Sequence, residues 1–420
     1  MNMTTNFITE PERMIPVIRD VDVVVAGGGT AGTAAAVTAA REGLSVVMLE
    51  QSAQPGGMVT HVIQWLSDFK TKGGFTREFL DTLTERGTVE WPYYNTCEVV
   101  PYFDELIAQS GAEPLYFATV AAPVVEDNRL CGVIIETGEG RQAIRGKVII
   151  DATGDGHVAA RAGADFRIGR EKDGACQAVS ISQLWTGYTG GEISRPDLNE
   201  IIAQAVKQTD AAFTLPYDSW GVTTLPGTDQ CILCSNPHAT GHDVLSAKGM
   251  SECLVELRQQ ALDIFTFFKE NIPEFKDIEF GPFSALPGVR ETRRICCDAT
   301  ITYDDLKAGS RFDDGLFTVE MNIDIHRCSE GEPAIYVERI TPFQVPYRAM
   351  LPAGLENIIV AGRCISGDHE ALSSYRIAAD CFAMGEAAAL AAKLAVEKKG
   401  TPRNIDVAAL VSEMKERGYE

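Results

Sequence analysis

Val21-Asp22-Val23-Val24-Val25-Ala26-Gly27-Gly28-Gly29-Thr30-Ala31-Gly32, together with Leu44-Ser45-Val46-Val47-Met48-Leu49-Glu50, decides the fold of this 420-residue chain. Val21–Ala26 is an apolar run broken only by Asp22, Ala31–Arg41 is small and helix-compatible, and Gly43 stops it. Leu44–Leu49 is a second apolar run. Runs without polar alternation suit parallel strands covered on both faces, so Val21 to Glu50 reads as a strand–helix–strand unit. Between strand and helix, Gly27, Gly29 and Gly32 satisfy G-x-G-x-x-G. A chain with 38 glycines meets that pattern by chance, so its placement carries the weight. Gly27 permits the tight turn, Gly29 lets backbone approach a pyrophosphate, and Gly32 lets helix pack on strand. The helix N-terminus at Thr30 and Ala31 offers free N–H groups and a partial positive charge to phosphates. Glu50, followed by Gln51, is placed to accept from a ribose diol and would repel a 2′-phosphate.

Working outward, Gly57 and Met58 follow closely, where a long FAD molecule would pass on its way to its flavin. A nicotinamide-binding domain would continue with alternating strands and helices. Instead a meander follows, with strands expected at Leu115–Glu126, Leu130–Glu136 and Gln142–Ile150 and turn signals at Asp127–Asn128 and Thr137–Gly140. Gly154-Asp155-Gly156-His157-Val158-Ala159 also fits a dinucleotide pattern, but no second strand ending in an acid follows it. One nucleotide site is expected, for FAD. Residues 166–340 are richer in aromatic, proline and polar residues, with a helix at Ser251–Glu270. Asn357–Ala361 is again an apolar strand, Ala378–Val396 a small-residue helix, and Ile405–Gly418 a short amphipathic one. The simplest division is an arm at 1–19, a first domain at 20–165 that resumes at 341–400, an insertion at 166–340, and a terminal helix at 401–420.

Hydrophobic residues are 45% and charged residues 23%, an ordinary globular balance. Lys plus Arg number 37 against 59 Asp plus Glu, a net charge of −22 that would repel nucleic acid and anionic membrane. No apolar run is long enough for a membrane span, and Met1–Pro16 lacks the apolar core of a secretory signal. Eleven cysteines without a spaced framework point to a reducing, cytoplasmic setting.

Longer stretches carry a resemblance: Val148–Gly156, Gly288–Ile295, Ile323–His326, Val345–Arg348, and Val360-Ala361-Gly362-Arg363-Cys364-Ile365-Ser366 continuing to His369–Leu372. Over about Arg13 to Gly418 the chain resembles the FAD-dependent oxidoreductases of the glutathione-reductase-2-like superfamily, relatives of the fumarate reductase flavoproteins. The resemblance implies an α/β fold: a Rossmann-like FAD-binding domain of the glutathione-reductase-2 type with an inserted α+β substrate domain. It further implies that Ala152, Thr153 and Gly154 lie against the nucleotide half of FAD, and that the backbone at Val120 meets adenine. The strand ending at Gly362 would run to the flavin, with the N-terminus of the following helix at the flavin N1/C2=O edge. Ser373, Ser374 and Arg376 would add donors there. Many relatives carry an acid directly after that glycine to hold the ribitol. Arg363 stands here instead, which assigns Arg363 to the pyrophosphate and Asp368 to the ribitol.

For the chemistry, a histidine beside a flavin can take a proton from an alcohol or give one to an alkene while hydride moves to or from N5. His326 and His369 fall inside the motifs, so either is the expected acid/base, with Arg290 binding a carboxylate or polarising a carbonyl. Trp220 and Tyr217 are pocket-lining or core residues. Cys231-Ile232-Leu233-Cys234 with His238 and His242 has some features of a metal site, but no metal is expected. His61 follows the second glycine pair and is a candidate for the covalent flavin bond that some superfamily members form. The sequence thus points to an enzyme moving a hydride between FAD and a small-molecule substrate: an alcohol or amine oxidised, or an activated alkene reduced. An electron-transfer subunit and an RNA-modifying flavoprotein are the alternatives. The electron acceptor or donor stays open, and a homodimer is expected.

Overall fold

The computed structural model describes residues 8–61, 66–189, 195–208, 222–228, 232–234 and 237–420. Tyr217, Trp220 and Cys231 lie outside the described residues. The organising element is a seven-stranded sheet in the order Glu113–Tyr116, Val46–Glu50, Val17–Ala26, Gly140–Asp151, Arg129–Thr137, Thr119–Glu126. The first four strands are parallel; the last two form an antiparallel meander with the fourth. The seventh strand, Ile358–Val360, lies parallel to the end of Gly140–Asp151, with Val360 opposite Asp151. One long strand therefore holds the meander along its first half and the returning chain along its last three residues.

The apolar runs behave as their composition requires. Val23–Ala26 and Val47–Met48 are fully buried, as strands covered on both faces must be. The first helix, Thr30–Arg41, packs chiefly on the helix Ala378–Glu397. Their approach is close: a Cβ on Gly385 would lie 2.1 Å from the Ala31 carbonyl oxygen.

Three departures from the sequence reading are physical. The expected strand Leu115–Glu126 is two strands, because the chain leaves the edge of the parallel sheet at Phe117, φ 55°, before joining the meander. Helices at Gly74–Glu85 and Val99–Ser110 were not anticipated, although Phe75, Phe79, Leu80 and Leu83, and Val99, Tyr102, Phe103, Leu106 and Ile107, form their buried stripes. The helix expected at Ser251–Glu270 is longer, Ala247–Asn271, capped by the Ser246 side chain accepting from Gly249 N–H.

Among the described residues, buried apolar side chains fall into three clusters. The largest surrounds the seven-stranded sheet and also takes in Ile295, Ile301, Leu306, Phe317, Val319 and Ile323 from the 166–340 span. Two smaller clusters, one around Trp185 and Phe268 and one around Val179 and Leu257, belong to residues 179–289. No helix among the described residues is long and apolar enough to cross a membrane.

Candidate active site

A cavity of about 800 Å³ runs from the glycine turn to the 179–340 region. Its first arm is built by the sheet. Gly27 sits at φ 96° with its Cβ position 2.6 Å from the Ala152 carbonyl oxygen, so both left-handed backbone and close approach demand glycine. A Cβ on Gly32 would lie 1.8 Å from Gly27 O, where helix meets strand. Gly29 is different: the nearest atom to its Cβ position is 4.0 Å away, because that side opens into the cavity. Glu50 is buried, and its two carboxylate oxygens accept from Gly28 N–H at 2.9 Å and Ser52 N–H at 2.7 Å. It lines the cavity with Gln51, Gly57, Met58, Val120, Ala152, Thr153 and Gly154.

The far wall of this arm comes from the last third of the chain. Gly362, Arg363, Arg376, Ile377, Ala378 and Cys381 line it. Arg363 donates to Asp155, which also accepts from the Thr292 hydroxyl. Burial works to raise the Asp155 carboxyl, but Arg363, Thr292 and His157 outweigh it and hold it below the usual range. Arg363 Nε and Arg376 Nε are buried donors without a hydrogen-bond partner among the described residues. A glycine turn with open space at Gly29, a carboxylate at the end of the second strand, and orphaned guanidinium donors opposite fit a bound FAD.

Several expected cofactor contacts are corrected. Asp368 does not line the cavity: it caps the helix His369–Tyr375, accepting from Ala371 N–H at 2.8 Å and Tyr303 N–H at 2.6 Å. Ser373 donates to Glu370 O and Ser374 to Met321 O, both buried away from the cavity. The helix whose N-terminus meets the cavity begins later, at Ala378. His369 is also behind the wall, buried, with Nδ1 3.0 Å from Glu291 and Nε2 3.9 Å from Cys328. Its ring is committed to a structural network with Arg294, so it cannot reach a substrate. His61 is buried on Gln54 and does not line the cavity, and Cys234 packs in the Trp185 cluster.

The second arm holds His326 and Arg290, which the structure does bring together, and adds His238, Asp324 and Ser180. Arg290 donates to Ala178 O at 2.8 Å and to the Ser180 hydroxyl at 3.2 Å, and its other terminal nitrogen lies 3.2 Å from His238 Nε2. The His238 and His326 rings are nearly parallel, 7° apart in plane with centroids 5.3 Å apart. His326 Nε2 lies 3.5 Å from Asp324 Oδ2. Burial, then the Arg290 charge, pushes the His326 imidazole down to about 4 against the opposing pull of Asp324. The imidazole is therefore neutral near pH 7 and can accept a proton. Asp324 is driven down to about 2: burial opposes ionisation, but His326, Arg376 and Arg290 outweigh it.

Gln177, absent from the sequence reading, ties the two arms. Its Oε1 accepts from His326 N–H at 3.1 Å and from Arg376 at 3.2 Å, while its own N–H donates to Glu291. His238 carried a sequence signal, but one that pointed toward cysteines rather than toward Arg290.

Residues 22–414 match the protein family described as FAD dependent oxidoreductase. A probable electron transfer flavoprotein-quinone oxidoreductase of Escherichia coli is 31% identical over 162 residues, 34% of this chain and 37% of that protein. Digeranylgeranylglycerophospholipid reductase 1 of Methanococcoides burtonii is 31% identical over 184 residues, 38% of this chain and 44% of that protein. These matches therefore span less than half the length of either relative. Among solved structures, a triple mutant of the flavin-dependent brominase Bmp2 aligns with a TM-score of 0.50 at 14% identity, over 94% of this chain and 84% of that one, a likeness of fold alone.

Proposed function

The chain belongs to the FAD-dependent oxidoreductase family, and from that premise we propose that it moves a hydride between the N5 atom of its FAD cofactor and a small organic substrate. The observation that carries this is a neutral imidazole, His326, beside Asp324 in the same cavity as the dinucleotide turn. When bound, FAD supplies an acceptor or donor of a hydride's electron pair. His326 handles the proton: in alcohol oxidation the hydroxyl proton passes to its imidazole as the C–H hydride leaves and the C=O forms. In alkene reduction a proton taken up transiently by the ring passes on to carbon. Arg290, braced by Ala178 and Ser180, orients the substrate oxygen.

The finer fold assignment is part of the proposal: a Rossmann-like domain of the glutathione-reductase-2 type with an inserted α+β substrate domain. Its support is the return of Ile358–Val360 to the sheet after a region with its own apolar clusters. A second reading, an electron-transfer flavoprotein, is favoured by the name of the E. coli relative. The net charge of −22 weighs against an RNA substrate.

The test is anaerobic mixing of the yellow protein with a panel of alcohols, amines and sugars, and of the dithionite-reduced protein with activated alkenes, whose turnover would restore the yellow colour. Bleaching by one of the reductants supports hydride transfer, and bleaching only by a partner protein supports electron transfer. His326→Asn is expected to slow substrate-driven bleaching by about 10²–10⁴-fold with FAD retained. Undiminished rates in that variant would remove His326 as the base.

A further inference from the structure

The strand pair Ile323–His326 and Ile335–Glu338 sets His326 opposite Ile335 and Asp324 opposite Val337. Directly opposed residues share a face of the pair, with Cβ atoms about 5 Å apart. All four line the cavity. The proton-handling pair is thus flanked, at cross-strand distance, by two branched apolar side chains. The wall around them continues apolar through Met250, Leu286 and Val289. Val337 is 61% exposed, so apolar surface faces water at the cavity rim and stands to gain from being covered. Around His326 two guanidiniums, Arg290 and Arg376, outnumber the one carboxylate, Asp324. Arg290 and Arg376 both act to keep His326 unprotonated, and a cation brought to the same place meets the same repulsion. The Asp324 carboxylate that opposes them lies 3.6 Å from Arg376.

We infer that the substrate of this cavity carries its reacting hydroxyl, carbonyl or activated alkene on an apolar skeleton of several carbons and bears no positive charge. The inference rests on the hydride-transfer reading above. It selects alcohols, ketones and enones over protonated amines and over sugars, whose many hydroxyls would be left unpaired against Ile335 and Val337.

The test is equilibrium binding to the FAD-loaded protein, read as perturbation of the flavin spectrum. The probes are butanone, 2-hexanone and 2-octanone, with 2-aminooctane as the cation of matched shape. The dissociation constant is expected to fall about fourfold per buried methylene, and 2-aminooctane to bind more weakly than 2-octanone. Val337→Glu, at an exposed position, is expected to flatten the chain-length dependence with FAD retained, and Val289→Ser to do so in part. Affinity independent of chain length, no perturbation by any ketone, or amine binding equal to the ketone would each overturn the inference. The two readings fail separately. A chain-length trend with neither bleaching of the oxidised flavin by 2-octanol or 2-hexanol nor return of the yellow colour when octenone is added to the reduced flavin removes hydride transfer alone. Bleaching by short polar alcohols without the trend removes this inference alone.

Discussion

At the scale of the residue, the cavity separates what spacing can reveal from what it cannot. Gly27, Gly32 and Glu50 were legible because their constraints are local: a turn, a helix–strand contact and a strand end lie within 30 residues. Arg290 and His326 were legible through their motifs. Gln177 and His238 were not, because each gains its role from partners 50 or more residues away. Asp368 and Ser373 were misread for a related reason: the motif put them after Gly362, but the short helix there takes Asp368 as its cap and turns Ser373 into the core. The depressed imidazole has a consequence in solution. An unfolded histidine titrates near 6.5 and folded His326 near 4, so between these values the unfolded state binds more protons. Stability is thus lost as pH falls through that window. His61, held near 4 by burial, adds to the loss. Between pH 7 and pH 5 the His326 contribution is expected to be roughly 2 kcal/mol. Urea unfolding of the wild type and His326→Asn at both pH values checks it: the variant should lose less stability by about that amount. Equal losses would show that His326 is not held neutral.

At the scale of the element, the helix Ala378–Glu397 does two jobs. It presents Ala378 and Cys381 to the cavity, and it lies against the first helix closely enough that Gly385 has no room for a side chain. The small-residue composition of 378–396 was visible in the sequence, but its packing partner was not. A stripe of alanine and glycine says that something comes close and leaves its identity open. The unanticipated helices at 74–85 and 99–110 show the complementary case, since their stripes are regular but no glycine motif drew attention to them. Gly385→Ala is expected to push the two helices apart and to cost about 1–3 kcal/mol. Because the first helix carries Thr30 and Ala31 to the cavity, the same variant should release FAD more readily. Thermal unfolding and the fluorescence of released flavin measure both. A stable variant that keeps its flavin would mean that the contact relaxes without moving the turn.

At the scale of the whole molecule, distant parts of the chain are fastened to each other. Gly74 N–H donates to Arg417 O at 2.7 Å, and the buried Glu386 gathers Phe75 N–H at 2.8 Å, the Tyr419 hydroxyl at 2.6 Å and Arg417 at 2.9 Å. Three donors around one buried carboxylate make Glu386 costly to remove, so Glu386→Leu is expected to lose on the order of 3 kcal/mol in a denaturant titration. A loss below about 1 kcal/mol would show that water replaces those partners. None of this closure was readable in advance, since a terminal amphipathic helix carries no mark of where it docks.

The return of Ile358–Val360 to the long central strand, with Gly362, Arg363 and Arg376 behind it, also sets an order of events in the cell. A ribosome that has released only the first 350 residues displays the glycine turn and Glu50 with the opposite wall still unsynthesised. Flavin capture therefore waits until the stretch from Ile358 to Cys381 has been made and has folded back onto the sheet. Until then the nascent polypeptide exposes a half-made apolar trough, which is where a chaperone has reason to wait.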